Sequence, residues 1–170
     1  MDLNNKEYFT WSNGIIALTI IIGLVFLSAY ILSIRSYLNH INTDLITPKL
    51  FIIIGCTVII IFVLYSTPTS LSWDKEGITI NKCLGSTRIH TSEIVSVEDI
   101  PKSDIQNSIR QLGSGGLGGF TGYFYTKKHG RVIMYVTKKD NLILVTTKSK
   151  KYIFNCDKKN KFINFWETII

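Results

Sequence analysis

Two uninterrupted apolar runs, Gly14–Ile34 and Leu50–Tyr65, stand near the start of the chain, and beyond Pro68 the pattern breaks into short apolar stretches separated by turn residues. The first run holds about 21 residues with no charged side chain. At a rise of about 1.5 Å per residue this matches a hydrocarbon core of about 30 Å, and predicts a membrane-spanning helix over about 14–34. It is longer than the apolar part of a secretory signal, its leading tail is not basic, and no small-x-small cleavage pattern follows, so a retained helix is expected. Ser12 or Asn13 is placed to cap it, Tyr8, Phe9 and Trp11 fall where an interfacial aromatic belt belongs, and Arg35 and Tyr37 close its far end.

The second run predicts a helix over about 49–66. Thr47 stands as its cap, Pro48 as its first residue and Lys49 as a snorkelling cation, with Tyr65 and Trp73 marking its exit. A short polar link, Ser36–Thr47, makes the pair a transmembrane hairpin occupying 1–67. The absence of charged residues within either span argues against an ion or proton pathway formed by this chain alone.

After Pro68 the period changes to that of strands. Leu71–Trp73 and Ile78–Asn81 flank the turn Asp74-Lys75-Glu76-Gly77, and Thr87–His90 and Ile94–Val97 are further strand candidates. Val132–Thr137, Leu142–Thr147 and Tyr152–Asn155 read as a three-strand meander turning at 138–141 and 148–150. Asp157 is placed to cap a closing helix from Lys158 to Ile169, in which Phe162, Phe165, Trp166 and Ile169 recur at i, i+3, i+4 and i+7. The expectation is an α+β chain: a transmembrane hairpin, then over 68–170 a small antiparallel barrel or sandwich closed by a carboxy-terminal helix.

Between the strand groups lies a glycine-rich segment, Gly113-Ser114-Gly115-Gly116-Leu117-Gly118-Gly119-Phe120. Gly113, Gly115 and Gly118 satisfy GxGxxG in form, but a polar stretch precedes them and an aromatic strand-like run follows. A dinucleotide fingerprint needs a strand before it and a helix after it, so the nucleotide reading is rejected. Two readings stay open: a long flexible crossover between sheets, or a loop whose exposed amides and following aromatics hold a protein partner.

Charge alters the picture only beyond Pro68. The acidic and basic residues before it cancel, so the whole formal charge of +7 lies in 68–170. Lys127, Lys128, Arg131, Lys138, Lys139, Lys148, Lys150 and Lys151 form either a solvated basic face or, if one end of the domain presents them together, a patch for anionic lipid. The positive-inside count is close to a tie; a basic domain beside an anionic leaflet favours the cytoplasmic side of the plasma membrane. Cys83 and Cys156 would pair only in an oxidising compartment. His40, His90 and His129 are scattered, Glu98-Asp99 is a solvated pair, and Ser114 has no nucleophile elbow around it. No catalytic, metal or cofactor site is expected, and no nucleic-acid partner, since the aromatics of Tyr123-Phe124-Tyr125 read as strand residues rather than a stacking platform.

The pattern Arg110-x-x-Gly113-Ser114-x-Gly116-x-x-Gly119-x-x-Gly122-x-Phe124, with Tyr135-Val136-Thr137, Leu142–Thr147 and Lys151-Tyr152-Ile153-Phe154-x-x-Asp157-x-x-x-x-Phe162, resembles the bacterial pleckstrin-homology (PH) domain family over about residues 70–168. The resemblance implies a seven-stranded half-open barrel with a carboxy-terminal helix at its mouth. Members of the wider superfamily that bind phosphoinositides carry basic residues between the first two strands; here that loop is Asp74-Lys75-Glu76-Gly77, which is net negative. The expected function is therefore a membrane-anchored, non-catalytic interaction module for a protein partner held through Gly113–Phe120, or alternatively a binder of anionic lipid through the basic turns.

Overall fold

The apolar runs are helices, α1 (Asn13–Asn39) and α2 (Ile46–Ser66), packed against each other. The computed structural model describes residues 5–39 and 46–170, with backbone alone for 46–49. Residues 40–45 of the predicted Ser36–Thr47 link, His40 among them, and the side-chain roles assigned to Thr47, Pro48 and Lys49 lie outside what is described. Helix α1 runs one further turn than the apolar pattern predicts. Ser12 caps it as expected, its Oγ accepting from Ile15 N at 3.4 Å. Outward-facing Ile, Leu, Val and Phe side chains line both helices. Among the described residues α1 alone is long and apolar enough to cross a membrane, the apolar part of α2 being the shorter Leu50–Ser66.

The rest is a sandwich of two sheets. The first has the order β1-β2-β3-β4, from β1 (Lys6–Tyr8), β2 (Pro68–Asp74), β3 (Gly77–Lys82) and β4 (Ser86–His90). The second has the order β5-β9-β10-β8-β7-β6, from β5 (Ile94–Ile100), β6 (Ile109–Gly116), β7 (Gly119–Thr126), β8 (Gly130–Val136), β9 (Leu142–Thr147) and β10 (Lys151–Asn155). No closed barrel forms. The β2–β3 turn is held by Asp74, whose Oδ1 accepts from Glu76 N at 2.9 Å and Gly77 N at 3.0 Å.

The meander is not one: β10 lies between β9 and β8, antiparallel to the first and parallel to the second. Apolar residues on both faces place β10 in the sheet centre, and Asn155 fixes it there, its Oδ1 accepting from Thr137 N at 2.9 Å at the end of β8. The glycine-rich segment is not a loop but the β6–β7 hairpin, paired from Ile109↔Tyr125 to Gly116↔Gly119. Residues before α1 also belong to the sandwich: Tyr8 pairs with Ser70, and Phe9 is buried in the core rather than lying in an aromatic belt. Trp73 likewise sits in the core, its ring 5.0 Å from that of Phe162.

Alternation along the second sheet builds two cores. Ile143, Val145, Tyr152 and Phe154 face the first sheet, whereas Leu142, Leu144, Ile153 and Met134 face outward, where Ile105 of the short helix α3 (Ser103–Gln106) covers them. Helix α4 (Lys159–Glu167) places Phe162 and Trp166 between the sheets; no side chain caps its start, the predicted Asp157 included, and the turn into it is held by Glu7 of β1. The Glu7 carboxylate accepts from Asp157 N and Lys158 N, each at 3.0 Å. Burial, reinforced by this carboxylate, raises the pKa of the Cys156 thiol, so it stays protonated and inert. Cys83 is exposed and both are free thiols, so no bridge joins them.

Candidate functional site

The start of α1 and the end of α2 both meet the sandwich at one end, called here the helix end. Ser12 N donates to Thr137 O at 3.1 Å, the Thr137 hydroxyl donates to Thr10 O at 2.7 Å, and Cys83 N donates to Thr67 O at 3.0 Å. A third attachment comes from the β6–β7 hairpin. Its tip is a two-residue loop, Leu117-Gly118, with Gly118 at φ 71°, a left-handed conformation that glycine takes without cost. The tip lies against the helix pair: Gly118 N donates to Thr19 Oγ1 at 3.2 Å, and Leu117 lines a small apolar cavity with Gly23, Phe26, Ile60 and Val63. A side chain at Gly118 would collide with Thr67 Oγ1, and one at Gly116 would come within 2.7 Å of Leu18 Cδ2. Of the residues predicted to meet a partner, Gly116–Gly119 are thus engaged within the chain, Ser114 Oγ donates to Leu117 O inside the hairpin, and the Phe120 ring carries Lys139 Nζ at 4.2 Å.

The hairpin also reaches beyond the first sheet. Thr87, on the edge strand β4, meets Tyr135 on β8 (Oγ1 to Oη 3.1 Å), so β7 and β6 extend past that edge. On the face they turn toward it, Ile109, Leu112, Tyr123 and Tyr125 are 67%, 64%, 47% and 44% exposed. Register explains this strip: Ile109 pairs with Tyr125 and Leu112 with Tyr123, and paired residues share a face. The opposite face carries the buried Phe124. Aromatics at 123, 124 and 125 signal a strand, but which of them would be left uncovered depends on how far the first sheet extends.

At the helix end of this overhang a groove of about 280 Å³ separates α2 from the two sheets. Phe62, Tyr65, Lys82, Thr87, Thr121 and Tyr135 are among its lining residues, and Lys82 Nζ lies 4.1 Å from the Tyr65 ring centre. Sequence reasoning missed this groove because its walls come from α2, β3, β4, β6, β7 and β8, brought together only by the fold. Burial raises the Tyr135 phenol above its ordinary pKa, keeping it neutral and able to donate.

The eight predicted basic residues do not form one patch. Lys138 and Lys139 stand at the helix end, beside Lys102 and the first turn of α1. Lys127, Lys128, Arg131, Lys148, Lys150 and Lys151 lie around the β7–β8 and β9–β10 turns at the other end of strands β8 and β10, roughly 20 Å away at about 3.3 Å per residue. Lys128 is also engaged, donating with its Nζ to Asp104 Oδ2 at 2.8 Å, while His129 Nε2 lies 3.0 Å from the same oxygen. The hydrogen bond from Lys128, opposed by burial and helped by His129, holds the Asp104 carboxyl below the usual aspartate range. A folded-state pKa below the unfolded one contributes stability that is complete above the ordinary aspartate value of about 3.9 and is lost as pH falls through the folded value. Asp104→Asn is therefore expected to lower the melting temperature at pH 7, by an amount that shrinks as pH falls through the folded value, which melting curves of both chains across acid pH would check.

Among the described residues no group of three or more His, Cys, Asp or Glu stands together in a way that would hold a metal ion. The family model described as bacterial PH domain matches residues 69–170, more than half of the chain. Neither the curated proteins nor the solved structures give a match.

Proposed function

The chain belongs to the bacterial PH domain family, and from this we propose that it is a membrane-anchored, non-catalytic interaction module holding a protein partner at the bilayer surface. Both helices cross the plasma membrane as a hairpin in this reading, and the sandwich faces the cytoplasm. Supporting the hairpin are the packing of α2 on α1 and the outward apolar side chains of α2, among them Phe51, Ile54, Val58 and Ile61. Supporting the orientation are Lys82, Lys102, Lys138 and Lys139 at the helix end, where an anionic leaflet attracts each by about 1 kcal/mol, and free thiols suited to a reducing compartment.

The observation that carries the partner reading is the exposed strip Ile109, Leu112, Tyr123 and Tyr125 beside the unpaired edge of β6. A contiguous apolar strip next to free strand amides is what an associating protein covers. The partner site thus moves from the hairpin tip, which the helices occupy, to the hairpin's overhang. Affinity recovery from native membranes tests it: Leu112→Asp with Tyr125→Asp is expected to abolish recovery of a stoichiometric partner while the sandwich stays folded by circular dichroism. Unchanged recovery would refute the reading.

A further inference from the structure

We propose that the groove between α2 and the sandwich binds the headgroup of one membrane glycerophospholipid, entering sideways from the leaflet along α2. This goes beyond the partner reading; the two share the membrane anchorage and the residues Leu112 and Tyr123, where the groove meets the strip.

Four observations carry it. The first is continuity with the apolar helix. Phe62, Tyr65 and Ser66 face the groove at i, i+3 and i+4, and the same helical face continues through Val58 and Phe51, which are 59% and 70% exposed. Acyl chains lying on that face would bring a headgroup to the groove mouth. The second is size: about 280 Å³ takes a headgroup and leaves the chains outside. The third is charge. Lys82 is the cation lining the groove, and no carboxylate lines it, which suits a single phosphodiester.

The fourth is hydroxyl chemistry. Thr121 is 1% exposed, and its Oγ1 has no hydrogen-bond partner among the described residues. It pairs with Tyr135, so its side chain shares the face that lines the groove. A buried hydroxyl without a partner is costly unless something absent from the protein itself completes it. The Thr87–Tyr135 pair has two hydroxyl protons and uses one between them, leaving the other free to donate to a phosphate or ester oxygen. This site is at the opposite end of the first sheet from the Asp74–Gly77 turn.

The test uses the full chain reconstituted in phosphatidylcholine vesicles containing phosphatidylglycerol with a photoreactive group near its headgroup. Adducts mapped by peptide mass spectrometry are expected on Phe62–Ser66, Lys82–Thr87 and Leu112–Tyr123, besides those on the outward faces of α1 and α2. Lys82→Gln and Thr121→Val are each expected to lower the groove adducts about tenfold and to leave the helix-face adducts unchanged. Thr121→Val, which removes an unpartnered hydroxyl, should not lower the melting temperature in lipid-free detergent, so lost adducts would report binding and not folding. Adducts on the helix faces alone, equal groove labelling in the variants, or competition by inorganic phosphate, which would mark a site for the free ion, would each overturn the proposal.

Discussion

Gly118→Val is expected to release the hairpin tip from the helix pair. Gly118 has φ 71°, where a β-branched residue costs about 1–2 kcal/mol in the backbone alone. The added side chain would also meet Thr67 Oγ1, which cannot swing aside cheaply because its hydroxyl already donates to Val63 O at 2.7 Å. With no room on either count, the tip must leave, taking with it the bond from Gly118 N to Thr19 Oγ1 and the packing of Leu117. A photoreactive residue at position 117 should label α1 and α2 within the same chain in the wild-type background and fail to do so in Gly118→Val. Persistent labelling in the variant would contradict the docking. The consequence for function is mechanical: without the tip, the sandwich is joined to the helices through its chain connections and their flanking hydrogen bonds alone, and its overhang is no longer held at a fixed height above the bilayer.

Phe162→Ala should have the larger effect on stability, about 3–5 kcal/mol. The ring is fully buried, edge-on to Trp73 at 5.0 Å and to Phe154 at 5.6 Å, and so joins α4 to both sheets at once. Nine residues of isolated helix are not stable in water, so α4 is kept by this packing and by the hold of Glu7 on its entry turn. Limited proteolysis is expected to cut first within 156–170 in the variant, with helix content from α1 and α2 retained. Resistance equal to wild type would show that Trp166 and the Glu7 contact alone suffice.

Much of this architecture was legible in the chain. The length of the first apolar run, the alternation in Ile78–Asn81 and Leu142–Thr147, and the spacing of Phe162 and Trp166 each report a local period, and local periods survive folding. What was hidden depended on order in space. Nothing in Tyr152–Asn155 announces that this strand slips between β8 and β9, because a strand buried on both faces looks the same in the middle of a sheet as in a meander. Glycines weaken a strand, so their density suggests a loop; here they allow a hairpin to turn tightly and its tip to lie against two helices. Lys138 and Lys139 stand near Lys148 and Lys150 in sequence, yet β9, the strand between the two turns, carries them to opposite ends of the sandwich. The exposed strip and the groove arise where one sheet outreaches the other, a fact of relative width that no single segment encodes.

The most direct measurement is photocrosslinking in native membranes from two positions of the intact chain, Tyr125 on the overhang and Leu117 at the docked tip. A discrete adduct with a second protein is expected from Tyr125, and labelling within the chain from Leu117. A protein adduct from Leu117 with none from Tyr125 would return the partner to the glycine tip and contradict the site proposed here.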